Sequence, residues 1–415
     1  MSADGGAEGG EPRRRKVRRR KVLYVHGFDP APTERYRRLI ARAGAERSQP
    51  PPTFTRAAPL SEHSEGWRIE FRPAPAAPAV ETVFEVLRYE DVVRQWRFRP
   101  APLRIGAGLA ALGRFAASGG LRRVVAFAKG PAALLFYPVL VLVVFVLGGA
   151  ALFWGLAAAA VMAGAPGFVA PAAIAAGAAL GLWLSLRAER ALFAHQMLAL
   201  FEFLIRVAEG RTPAGRLEIK LDRFADRIVA AVEGAARDEV DEVLVVGHSL
   251  GAPVAVRALG KAMARDVDLS GGRAALSLLT LGSVGGYLSA AGGPGAADYA
   301  ADMIRVASDP DLFWLDVSSK RDPFTFGLID PLLMLEEAPP AARSPRILTA
   351  RFGRARPDPE DAWTRFRAMS LHMRYLSAPD RDGAFDFFAV AAGPETLGER
   401  FASRRDSPKA RMRAS

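Results

Sequence analysis

The sequence predicts an α/β fold, a mostly parallel sheet with helices on both faces, into which a two-helix apolar hairpin is inserted. Three observations carry this. From Leu217 onward short β-rich runs alternate with helix-like stretches, the order that builds a parallel sheet covered on both sides. One of those runs ends in Gly247-His248-Ser249-Leu250-Gly251 and opens into a helix-like segment. Finally, the 57 consecutive residues from Gly130 to Leu186 include no Asp, Glu, Lys, Arg or His, unlike any element on a water-facing surface.

The chain has 415 residues, and half of them are hydrophobic. Its formal charge is +12, with basic runs at Arg13–Lys21 and again from Arg404 to Arg413. Residues 1–20 and 396–415 therefore read as basic tails, either solvated or drawn to acidic lipid headgroups. Nucleic acid is not expected as a partner, because no nucleic-acid-binding motif and no basic stripe interleaved with aromatics occurs in the folded region. There is no cysteine, which excludes disulfides, thiolate metal sites and a cysteine nucleophile. The basic run leads into a short strand rather than a long apolar stretch, so a cleaved signal peptide is not expected.

Val22–Phe28 (VLYVHGF) reads as a buried strand ending in a glycine turn, the start of a domain segment over 21–128. The Pro-rich stretch Gln49–Pro78 predicts one short strand, Trp67–Arg72, and Thr82–Val93 a strand running into a helix. The apolar segment, 129–190 with its flanks, divides at Ala163–Pro166. Its first half, about 134–156, holds fifteen Leu, Phe and Val residues and gives a clear insertion signal. The second, about 166–186, is Ala-rich and marginal alone, yet long enough to cross a hydrocarbon core of about 30 Å. Over 191–395 helices are expected to Val207 and from Leu217 to Ala236, followed by strand Glu242–Val246, a helix to Ala264, and strands Ala275–Gly282, Leu312–Ser318 and Arg346–Phe352.

The chemistry concentrates around Ser249. A Gly-x-Ser-x-Gly between a buried strand and a helix puts serine in a strained turn, and its flanking glycines let strand and helix approach closely. The N–H of Leu250, at a helix start, lacks an internal partner and can hold an oxyanion. Here the chain resembles the α/β-hydrolase family, more closely its lipases and esterases, which often show the same Gly-His-Ser-Leu-Gly. The resemblance covers Val22–Phe28 and Leu217–Tyr375. It implies that the N–H of Phe28, after His26-Gly27, is the second oxyanion donor, and that His26 and His248 are structural.

A serine hydroxyl needs a base, and the base an orienting acid. The family order is serine, acid, histidine, and His372, expected on a loop, is the only histidine after Ser249. The acid should follow the strand at 312–318, where Asp322, beside Pro323, is preferred over Asp316 inside the strand. His63 and His195 have no partner motif; no metal cluster or nucleotide loop is evident, and no cofactor is inferred.

Strand Val22–Phe28 precedes the apolar stretch and Glu242–Val246 follows it, so membrane crossings between two strands of one sheet must be even in number. Two spans fit. Arg114, Arg122, Arg123 and Lys129 before the stretch, and Arg187 and Arg190 after it, put the catalytic domain and both termini in the cytoplasm. A hydrophobic cap over the active site is the alternative, but a cap needs a polar outer face. The expectation is a membrane-anchored serine hydrolase cleaving an apolar or lipid-like carboxylic ester. The other readings are a catalytically silent membrane scaffold, or an acyltransferase or thioesterase using the same residues.

Overall fold

A computed structural model describes residues 16–211, 213–265, 269, 272–335, 342–343, 345–353, 366–380 and 384–404. Its sheet has nine strands: β1 Arg19–Val25, β2 Thr53–Phe54, β3 Ala58–Ser61, β4 Ser64–Phe71, β5 Val80–Leu87, β6 Glu242–His248, β7 Ala275–Leu281, β8 Phe313–Ser318 and β9 Arg346–Thr349. The spatial order is β2-β4-β5-β1-β6-β7-β8-β9, with β3 on β4. The run from β5 to β9 is parallel, while β2, β3 and β5 each pair antiparallel with β4. The fold is α/β, with a mostly parallel sheet flanked by helices. Every residue of β6 is buried, as a strand covered on both faces requires.

Fifteen α-helices lie among the described residues: α1 Pro32–Arg47, α2 Glu90–Arg97, α3 Ala101–Ala117, α4 Gly120–Phe127, α5 Lys129–Met162, α6 Val169–Arg187, α7 Glu189–Leu192, α8 Ala194–Ala208, α9 Ala214–Glu233, α10 Gly251–Met263, α11 Gly285–Ala291, α12 Pro294–Ser308, α13 Arg367–Met373, α14 Phe387–Ala392 and α15 Leu397–Phe401. Helices α1 and α14 pack against β4, while α9 and α10 pack against β6.

Helices α5 and α6 are both long and apolar enough to cross a membrane. At 1.5 Å per residue the first is about 50 Å long and the second about 28 Å. Helix α5 starts earlier and ends later than the span 134–156, because Pro131, Ala132, Leu134 and Leu135 pack on the domain as part of the same helix. The two lie backbone to backbone. A Cβ on Gly149 would sit 2.2 Å from Gly177 O, and one on Gly181 would sit 2.0 Å from Phe145 O. Pairing 149 with 177 and 145 with 181 makes the helices antiparallel, and Gly177-x-x-x-Gly181 supplies the small-residue face that allows this approach. Their outer surfaces carry exposed Leu140, Leu147, Leu152 and Trp154.

Three expectations are corrected. The stretch 49–78 forms β2, β3 and β4 rather than one strand; β2 is two residues long and β3 contains Pro59, too little for a periodic signal. The first basic run is not all tail. Arg20 lies in β1, fully buried, its Nε donating to Glu242 Oε2 at 2.6 Å and its Nη1 to Gly393 O at 2.8 Å. Residues 1–15 lie outside the described residues. At the other end, Glu242 also accepts from Leu397 N–H at 2.7 Å, and α15 buries Leu397 and Phe401, so the domain continues past 396. A buried carboxylate and guanidinium are tolerable there because each meets several partners. The second basic run beyond Arg404 lies outside the described residues.

Candidate active site

The turn between β6 and α10 is fixed by what surrounds its two glycines. A Cβ on Gly247 would fall 2.4 Å from Gly251 O, and one on Gly251 would fall 2.0 Å from Val25 O and 2.5 Å from His26 O. The strand end, the helix start and the end of β1 are thus pressed together with no room for side chains. Ser249 between them has φ 60°, the left-handed region that a residue with a Cβ adopts only under surrounding constraint. Its N–H is held by Leu281 O at 2.9 Å. The same packing brings the β1–α1 loop alongside, since a Cβ built on Gly27 would lie 3.1 Å from Ser249 Cβ and 3.5 Å from its Oγ. Among the described residues, no protein acceptor is recorded for the N–H of Phe28 or of Leu250.

His372 and Asp322 meet nearby. His372 Nδ1 lies 2.7 Å from Asp322 Oδ2, and Phe324 N–H donates to Asp322 Oδ1 at 3.0 Å, so both carboxylate oxygens are engaged. The other ring nitrogen, Nε2, is buried without a hydrogen-bond partner among the described residues. His372 sits in the last turn of α13 and not on a loop; that helix is short and follows 354–365, which lie outside the described residues. Asp316 does not join this pair. It accepts from Thr280 Oγ1 at 2.6 Å within the sheet, and burial pushes its carboxyl up to about 7.

Ser249 and His372 line one small cavity, of about 30 Å³, with Gly27, Phe28, Phe193, Phe324, Met369 and Met373 in its wall. That is room for roughly one water molecule. The serine is 7% exposed and the imidazole 2%, so the site is closed by apolar side chains. Phe193, at the α7–α8 junction, is also left-handed, with φ 57°. Its ring stacks on Phe366, which stacks on Tyr137 of α5, and Tyr137 Oη donates to Leu192 O at 2.8 Å. The root of the hairpin therefore adjoins the cavity wall.

No family model, no curated protein and no solved structure matches this chain.

The remaining histidines separate clearly. His248 stacks on His372 with ring centres 5.1 Å apart, and its Nε2 lies 3.2 Å from His372 O, a distance at which an Nε2–H donates to that carbonyl. Burial, then the neighbouring His372, drive its pKa down to about 3, so it is a neutral prop for the His372 backbone. His26 stacks on Tyr89 at 4.3 Å, and burial lowers its pKa. His195 is buried in α8, with its pKa pushed by burial to about 4; His63 is partly exposed beside Glu62. No group of acidic, histidine or cysteine side chains among the described residues could hold a metal ion.

Sequence reasoning missed the wall. Phe193, Phe324, Met369 and Met373 come from three separate segments, and none carries a motif. It also missed Asp29, buried beside Phe28, where Arg35 Nη1 donates to Oδ2 at 2.9 Å and Ala31 N–H to Oδ1 at 2.9 Å, stiffening the β1–α1 loop. The signal was present as an acid directly after His26-Gly27-Phe28.

Proposed function

We propose that this chain is a membrane-anchored serine hydrolase of the α/β-hydrolase type, acting on a carboxylic ester with an apolar acyl chain. One observation carries the reading: a serine in a left-handed turn shares a cavity with an imidazole whose far nitrogen is held by a buried carboxylate. A lone serine or histidine has many uses. The three in this order, serine then acid then histidine along the chain, with the serine between a central strand and its following helix, have a specific one.

In the mechanism, His372 Nε2 accepts the proton of Ser249 Oγ as that oxygen attacks the ester carbonyl carbon. The negative charge that moves onto the carbonyl oxygen is held by the N–H groups of Phe28 and Leu250, which approach Ser249 from the β1–α1 loop and from the start of α10. Collapse expels the alcohol oxygen, which takes the proton from His372, and leaves an acyl group on Ser249. Water, losing a proton to His372, then attacks the acyl carbon; the C–O bond to Ser249 breaks, Ser249 Oγ takes that proton back from His372, and the acid is released. Asp322 holds the ring in orientation and stabilises the imidazolium.

The wall supports this substrate class. Phe193, Phe324, Met369 and Met373 offer apolar, partly adaptable surface, and a substrate must move some of them to enter. The adjoining helices α5 and α6 expose large apolar side chains that a bilayer would cover. Strands β1 and β6, one before the hairpin and one after, are hydrogen-bonded neighbours, so the chain would enter and leave the bilayer on the same side. The basic flanks favour the cytoplasm as that side.

Purified detergent-solubilised protein should hydrolyse p-nitrophenyl acyl esters, and Ser249→Ala should bring the rate to background. Equal turnover by both proteins would overturn the proposal; no turnover by either would favour a silent scaffold, and transfer to an added alcohol or from a thioester would redirect it to an acyltransferase or thioesterase.

A further inference from the structure

Helix α3, which precedes the hairpin, is apolar on both of its sides. Its inner side lies on α8: Gly108, Ala111 and Phe115 are buried, and a Cβ on Gly108 would fall 2.8 Å from Leu198 Cβ. Its two cations are turned into the domain, Arg104 Nη1 donating to Arg97 O at 3.1 Å and Arg114 Nε pairing with Glu209 at 2.9 Å. The opposite side, stepping by three and four residues through Leu103, Gly106, Leu109, Ala110, Gly113 and Ala116, is exposed and carries no polar side chain. Leu103 is 59% exposed, and Phe98 just before the helix 67%. A helix on the surface of a water-soluble domain normally turns charged residues outward, and one that is apolar all round is enclosed by protein or by lipid. Here the described residues enclose only half.

The chain around this face points to what covers it. Only Ser118 and Gly119 separate α3 from α4, and only Ala128 separates α4 from α5. Exposed Val125 on α4 continues the apolar surface towards the exposed Phe136 and Leu140 of α5. Arg122 and Lys129, both exposed, stand between these apolar stretches, where cations would meet anionic headgroups. On the other side of the hairpin the guanidinium of Arg187 lies over Trp183, 4.9 Å from the ring centre, a pair suited to the same interfacial level.

We propose that α3 lies in the interface of the bilayer, with its Leu103–Ala116 face sunk to the boundary between headgroups and acyl chains and Arg122 and Lys129 at the headgroups. The domain is then docked on the membrane surface by α3 as well as tethered by α5 and α6. This rests on the hairpin lying in the bilayer, but is independent of the catalytic assignment.

Because the chain has no cysteine, a single introduced cysteine can carry a nitroxide without background. The full-length protein with Leu109→Cys, Leu147→Cys on α5 or Leu60→Cys on exposed β3 is placed in vesicles of phosphatidylcholine mixed with phosphatidylglycerol. Collision rates with oxygen, which concentrates in lipid, and with a neutral nickel chelate, which stays in water, are then measured. The proposal expects the oxygen-to-nickel ratio at 109 to stand several-fold above that at 60, and below or equal to that at 147. A ratio at 109 equal to that at 60, with 147 still in lipid, would overturn it and leave the hairpin reading intact. If 147 also behaved like 60, the hairpin reading would fall, taking the proposal with it. A short nitroxide–nitroxide distance between copies at 109 would assign the face to a second copy of the chain, and would equally overturn it. Leu103→Cys repeats the test on the same face should the label at 109 disturb packing.

Discussion

His372 Nδ1 lies 2.7 Å from Asp322 Oδ2, joining side chains that are 50 positions apart in the sequence and both almost fully buried. The N–H of Phe324 on the other carboxylate oxygen holds that carboxylate in place, so the ring keeps one orientation, with Nε2 buried and without a hydrogen-bond partner among the described residues.

Asp322→Asn should therefore lower kcat for ester hydrolysis by about 10³–10⁴-fold, since an amide can stabilise the wrong tautomer and does not stabilise an imidazolium. Asp316→Asn, which alters a carboxyl bonded to Thr280, should change kcat by less than about tenfold. Steady-state kinetics of the two variants on one p-nitrophenyl ester checks the assignment. The reverse ranking would make Asp316 the acid.

In the hairpin, Gly181→Leu would drive a side chain into the Phe145 carbonyl, which a Cβ alone would approach to 2.0 Å, whereas Gly155 on α5 has open space around it. Forcing two packed backbones apart costs at least about 1–3 kcal/mol. The melting midpoint of the detergent-solubilised protein should drop by several degrees for Gly181→Leu and stay unchanged for Gly155→Leu. Equal effects would mean that the close contact does not hold the helices together.

The depressed pKa of His248 has a consequence for acid stability. Its folded value, about 3, lies below the ordinary 6.5, so the unfolded chain takes up a proton between those values that the folded chain refuses. The stability it contributes is complete above about pH 6.5 and is lost as pH falls towards 3, by on the order of a few kcal/mol in total. His248→Gln keeps a donor for the His372 carbonyl and removes the proton uptake. Chemical denaturation from pH 7 to 4 should show a shallower loss of stability in that variant than in the parent protein; parallel curves would mean that His248 titrates normally.

How far the sequence foretold this structure depended on whether a feature was local. The Ser249 turn was legible because its strand, glycines and helix are contiguous, and the hairpin because 57 uncharged residues admit few other readings. His372 was singled out by the chain order that the family resemblance implies, as the one histidine after Ser249, although the helix that carries it was not foreseen. On the antiparallel edge β4 was foreseen in part as Trp67–Arg72, while β2 and β3 escaped because Pro50, Pro51, Pro52 and Pro59 mask strands of two and four residues. Helix α3 escaped for a physical reason: apolar on both sides, it has no amphipathic period to detect. Arg20 looked like part of a solvated run because nothing local announces that Glu242, 222 positions away, will neutralise it.

The most direct test of the central claim is covalent labelling. A fluorophosphonate reacts with a serine only where a neighbouring base and an oxyanion site activate it. Incubated with the 415-residue chain in detergent or in vesicles, followed by proteolysis and mass spectrometry, the probe should modify Ser249, and labelling should vanish in Ser249→Ala and in His372→Ala. Labelling that persists undiminished in Ser249→Ala, or a folded parent protein that takes up no probe at all, would contradict the account.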